Sequence, residues 1–79
     1  MEKLLAYINS LSDVSEQEAF ASSCGTSIGY LRKACYKRQE LGAELSVRIE
    51  QESFGAVSRK DLHPDSWMLK WPELAYMAA

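Results

Sequence analysis

Apolar side chains Leu4, Leu5, Ile8 and Leu11 recur at the three- and four-residue steps of one helical face, which predicts an amphipathic helix over about residues 2–11. The run Asn9-Ser10-Leu11-Ser12-Asp13 is turn chemistry. Ser15, followed three residues on by Glu18, fits a capping box and predicts a second helix over about 16–23. Gly25 then stands where a helix ends in a left-handed residue, a conformation glycine adopts without a Cβ penalty, and Thr26 or Ser27 can cap the next helix. Between Ser27 and Tyr36, Ile28, Leu31 and Cys35 form one stripe with Ala34 beside it, while Arg32, Lys33, Tyr36 and Lys37 fall on other faces. Gly42 marks a break. Leu45 and Ile49, with Ala43 and Val47 nearby, predict a fourth helix over about 43–53 that Gly55 ends. Ser58 is placed to cap one further turn, Arg59-Lys60-Asp61-Leu62, before Pro64 stops it. Strand signals are weak throughout and no repeat is present, so the expected fold class is all-α, a compact domain of four to five helices.

With 79 residues the chain has room for one domain and little room for an elaborate cleft. Its 47% apolar and 25% charged residues are those of an ordinary globular domain with a real core. No apolar run approaches the roughly 20 residues that span a bilayer and no signal peptide is evident, so a cytoplasmic protein without a membrane partner is expected. The two cysteines and the single His63 do not complete a zinc site; Cys24 and Cys35 read as small, reduced core residues and His63 as a loop histidine. Paired carboxylates in a pocket, a Cys–His couple with an orienting group and a phosphate-cradling glycine loop are all missing from the sequence. No enzymatic activity and no cofactor are expected.

Charge changes the picture locally. The net charge of −2 argues against a nucleic-acid partner, but Arg32, Lys33, Lys37 and Arg38 form a cationic island between two acidic stretches, and binding follows the local field. That island falls on the second of two short helices joined by a glycine-containing turn, the pattern of a helix-turn-helix. Within Gln17 to Tyr36, Ala21 suits a close helix crossing and Gly25 the turn; Phe20, Cys24, Ile28, Leu31 and Ala34 face inward, and Ser27, Gly29, Arg32, Lys33 and Tyr36 outward. Double-stranded DNA is therefore the expected partner. Arg32 and Lys33 are assigned to base edges, Lys37 and Arg38 to phosphates, and Ser27 to either, while Tyr36 either stacks on or hydrogen-bonds to DNA or covers the core with its ring. Arg48 reads as an intrahelical partner of Glu44 or Glu52.

The segments Ala-Phe-Ala-Ser-Ser-Cys-Gly-Thr-Ser-Ile-Gly-Tyr-Leu-Arg (19–32), Glu-Leu-Ser-Val-Arg-Ile-Glu (44–50) and Gly-Ala-Val-Ser-Arg-Lys-Asp-Leu-His-Pro-Asp (55–65) together resemble the small Cro/C1-like regulators of phages and prophages, in particular the YdaS-like group. The resemblance implies a lambda-repressor-like helical fold and transcriptional control, as a repressor of phage, prophage or toxin–antitoxin origin. Leu41-Gly42 departs from a pattern that often has proline there, and the tail from Trp67 to Ala79 falls outside it. The chain thus divides into a DNA-binding domain, residues 1–65, and an aromatic tail, residues 66–79. The tail either packs back onto the core or forms a homodimer contact through Trp67, Leu69, Trp71 and Leu74 that aligns two reading helices. A second reading stays open, in which the chain is an antitoxin or anti-repressor acting through a protein partner.

Overall fold

The computed structural model describes residues 2–77; Met1, the tail residues Ala78 and Ala79, and the Met77 side chain lie outside the described residues. Leu4 and Ile8, one turn apart on helix α1 (Glu2–Ser10), are fully buried, with Leu5, Tyr7 and Leu11 packed along the margin of the core. Helix α2 (Val14–Ser23) starts two residues earlier than the sequence pattern predicts. Its N-cap is Asp13 rather than Ser15: the Asp13 carboxylate accepts the Glu16 N–H at 2.8 Å, and the Glu16 carboxylate accepts the Ser12 N–H at 3.1 Å. Two capping signals overlap in this stretch, and the earlier one prevails because charged acceptors satisfy amides on both sides of the turn. Helix α3 (Ile28–Lys37) is capped by Ser27, whose hydroxyl accepts the Tyr30 N–H at 3.2 Å.

Helix α4 (Ala43–Glu52) is followed by three single turns, α5 (Arg59–Leu62), α6 (Trp67–Lys70) and α7 (Leu74–Met77). Ser58 and Asp61 form the cap expected at α5 as a reciprocal capping box. Burial favours the neutral form of the Asp61 carboxyl, but hydrogen bonds from the Ser58 N–H and hydroxyl, together with nearby Lys3, outweigh it and hold the group below its usual range. The turns α6 and α7 take the count beyond the four or five helices read from periodicity, since a single turn is too short to show a period. α3 packs against both α1 and α2, and α4 against α2 and α5. Phe20, Ala21, Cys24, Leu31, Ala34, Cys35, Leu41, Ile49, Val57 and Leu62 join Leu4 and Ile8 in one core. Both cysteines are buried as thiols. Burial pushes Cys24 up to about 11, Glu52 adding to the rise and Arg48 opposing it.

Three successive helices end in the same way. At α2 the Thr26 N–H reaches Ala21 O and the Gly25 N–H reaches Ser22 O; at α3 the pair is Gln39 to Ala34 and Arg38 to Cys35; at α4 it is Gly55 to Glu50 and Phe54 to Gln51. Each is a Schellman closure, whose pivot residue is left-handed. Only the first pivot is a glycine, Gly25 at φ +84°; the others are Arg38 at +52° and Phe54 at +54°. The α4 helix therefore turns on Phe54, one residue before the glycine expected to end it. Left-handed backbone at a residue with a Cβ costs about 1–2 kcal/mol, and Phe54, 95% exposed, recovers little of that by packing. Phe54→Gly is accordingly expected to stabilise the fold by about 0.5–1 kcal/mol, read as a higher denaturant midpoint at unchanged slope. A lower midpoint would mean that the ring makes contacts worth more than the strain.

His63 departs furthest from expectation. It lies just past the end of α5, outside any helix as a loop histidine should, but it is fully buried. Its Nε2 lies 2.8 Å from the Ser46 hydroxyl, whose hydrogen is donated to Gly42 O at 2.9 Å. Nδ1 lies 3.4 Å from a Glu40 carboxylate oxygen, and Lys70 approaches that same oxygen at 3.8 Å. The Trp71 ring meets the imidazole edge-on at 5.3 Å, and Arg59 sits 5.5 Å from the Trp71 ring centre. Serine, histidine and carboxylate here have the composition of a nucleophilic triad without its access: Ser46 and His63 are both 0% exposed, so no substrate reaches the hydroxyl. The cluster joins the α3–α4 connection, α4, the end of α5 and the tail.

Candidate nucleic-acid interface

On α3 the burial pattern divides the helix cleanly. Leu31, Ala34 and Cys35 are buried and Ile28 is half-buried, while Gly29, Tyr30, Lys33, Tyr36 and Lys37 are exposed. At about 100° per residue, Gly29, Lys33 and Tyr36 share the centre of the exposed face, with Tyr30 and Lys37 along one edge and Arg32 along the other. Tyr36 is 70% exposed, so its ring does not serve the core. Gly29 leaves the helix bare: a Cβ there would meet nothing within 4 Å. Of the remaining predicted contacts, Ser27 is exposed but its hydroxyl is engaged as the α3 N-cap, and Arg38 is exposed at the left-handed pivot beyond the helix end.

Arg32 is placed differently from its expected outward position. It is half-buried, and its guanidinium donates to Gln17 Oε1 at 3.0 Å and to Asn9 Oδ1 at 3.4 Å. Neither amide stands out as functional in the sequence, where Asn9 reads as a turn residue and Gln17 only begins the helix-turn-helix stretch. The only local sign is that both are polar residues flanking apolar stripes.

The chain's cations sort by location. Lys3 pairs with Asp61 at 3.6 Å, Arg48 with Glu44 at 3.7 Å as expected, Arg59 with Glu50 at 3.1 Å and Lys70 with Glu40 at 3.8 Å. Lys60 lies 4.4 Å from the centre of the Trp67 ring. Among the described residues, no carboxylate pairs with Arg32, Lys33, Lys37 or Arg38, although acids outnumber bases 11 to 9 in the chain. The α3 segment itself contains no acid. A helix of this kind presents uncompensated positive charge, two tyrosines and a strip of open backbone, which suits an anionic surface carrying hydrogen-bonding edges.

A groove of about 960 Å³ runs beside the end of α3 toward α1 and α5, but its lining mixes Lys3, Arg38 and Lys60 with Glu2, Glu40, Asp61 and Asp65, so it offers no cationic surface. Trp71 is buried, Trp67 and Leu74 are half-buried, and Leu69 is 88% exposed, so the four residues assigned to a dimer contact do not share one surface state. Met68 and Tyr76 are exposed beside Leu69's turn and on α7. No helix among the described residues is long and apolar enough to cross a membrane. No protein-family model, curated protein or solved structure matches the chain.

Proposed function

We propose that the chain is a sequence-specific DNA-binding regulator of transcription, acting as a repressor, in which α2 and α3 form a helix-turn-helix within a lambda-repressor-like domain. In this reading α3 enters the major groove, whose width of about 12 Å admits a helix, with Gly29, Lys33 and Tyr36 toward the bases and Lys37 and Arg38 toward phosphates. The observation that carries it is the segregation of cations: those outside α3 and its end pair with a carboxylate or lie against a ring, and those on it, Arg32 included, have no carboxylate partner among the described residues. Local charge without internal partners is what a polyanion exploits through counterion release. No cofactor enters the reading.

Selection of bound duplexes from a randomised library at near-physiological salt tests it. An enriched inverted repeat with half-sites about one helical turn apart, bound some 10³-fold tighter than unrelated DNA, is the expected result and also implies a homodimer on DNA. Weak binding without enrichment removes it. A second reading, an antitoxin or anti-repressor that works through protein contact, draws support from the exposed Met68, Leu69 and Tyr76 of the tail.

Gly29→Ala separates structure from recognition at one position. Alanine gains about 0.5–1 kcal/mol over glycine within a helix, and the added methyl meets no protein atom within 4 Å. The variant is expected to melt higher and yet bind the enriched duplex about 10-fold more weakly, because the methyl occupies the space that DNA approaches. A more stable variant with undiminished affinity would place the contact elsewhere on α3.

A further inference from the structure

We infer that Arg32 is a preset clamp for one phosphodiester group of the DNA backbone and not a reader of base edges; the inference rests on the DNA-binding reading above. Its side chain is held at a corner of three helices. Asn9 Oδ1, from the end of α1, accepts from Nη1 at 3.4 Å, and Gln17 Oε1, from α2, accepts from Nη2 at 3.0 Å. The Gln17 amide is itself oriented, since its Nε2 donates to the Ile8 carbonyl at 3.2 Å and so turns its oxygen toward the guanidinium. That chain of bonds fixes where the charge sits.

It also leaves the charge uncancelled. Both acceptors are neutral amide oxygens, and Glu16, next to Gln17 in sequence, directs its carboxylate to the Ser12 N–H instead. A guanidinium has more N–H donors than these two bonds use, and its planar fork matches the oxygens of a phosphate. Because the rotamer is already ordered, an arriving phosphate does not have to immobilise a long side chain, which is a usual cost of association.

Position decides between phosphate and base. Arg32 follows Gly29 by three residues and precedes Tyr36 by four, which puts it on the flank of the exposed face, while Lys33 lies about 100° further round. A side chain tethered back toward α1 and α2 cannot extend to the middle of a groove that α3 occupies. It can meet the strand running past that flank.

The test uses the full chain, the enriched duplex and a random-sequence duplex, each titrated over a range of salt. Arg32→Gln removes the charge while keeping hydrogen-bonding capacity at the corner. It is expected to weaken both duplexes by a similar factor of about 10, to reduce the slope of log affinity against log salt by about 0.9, and to leave the ratio between the duplexes unchanged. Lys33→Gln is expected to lower that ratio. Should Arg32→Gln not fold, Arg32→Lys keeps the charge and loses the fork, and the salt slope is then expected to persist while both affinities fall together. A drop in the ratio on changing Arg32 overturns the clamp in favour of base reading, and unchanged affinity and slope would reduce Arg32 to a strut. Wild-type protein that binds neither duplex overturns the DNA-binding reading as well, an outcome distinct from either of these.

Discussion

Replacing Lys33 and Lys37 together by glutamine is expected to weaken binding to the enriched duplex about 100-fold and, since only Lys37 is assigned to a phosphate, to reduce the salt slope by about 0.9. The matching control is Lys3→Gln with Lys70→Gln, which changes the net charge equally but removes cations already paired with Asp61 and Glu40. That control is expected to change affinity less than about 3-fold, because a compensated charge contributes little field at the surface. Thermal unfolding of both double variants should stay near wild type, since all four side chains are at or near the surface. Equal losses in the two would mean that binding follows overall charge, and the assignment of α3 as the reading element would have to be abandoned.

Replacing His63 by alanine is expected to cost roughly 3 kcal/mol and to lower the melting temperature by about 10–20 °C, a large fraction of the stability of so small a domain. Three losses combine. A fully buried side chain leaves a cavity, the Ser46 hydroxyl loses a partner at 2.8 Å, and Trp71 loses the ring against its edge. Trp71→Ala should be of comparable size, and because the two rings touch, the double variant should lose less than the two single losses added together, by about 0.5–1.5 kcal/mol. Strict additivity would mean that the tail and the buried histidine are held independently.

The helices are legible in the sequence for a local reason: Leu4 and Ile8, or Leu31, Ala34 and Cys35, declare a buried face through spacing alone. Gly25 likewise announces its turn, because positive φ is a property of one residue. The α2 cap lies two residues before its predicted place because Asp13 and Ser15 both offer a capping oxygen and propensity does not choose between them. Arg32 looks free in the sequence because a helical wheel knows its own axis but not that α1 and α2 bring Asn9 and Gln17 against one flank. His63 and Ser46 give no warning at all, since a polar residue that is buried by meeting another polar residue carries no hydrophobic period.

By itself, then, the amino-acid sequence determined the helical class, the apolar stripes of α1, α3 and α4, the glycine turn before α3 and the presence of a cationic island on that helix, all of them consequences of spacing within about a dozen residues. Tertiary structure alone decided which cations besides Arg48 would be neutralised, that Arg32 would be tethered, that Ser46 and His63 would be buried together, and that Trp71 would close over them while Leu69 stayed in solvent. Those outcomes depend on which surfaces meet across distant stretches of chain, and pairing, desolvation and tethering arise only where they do.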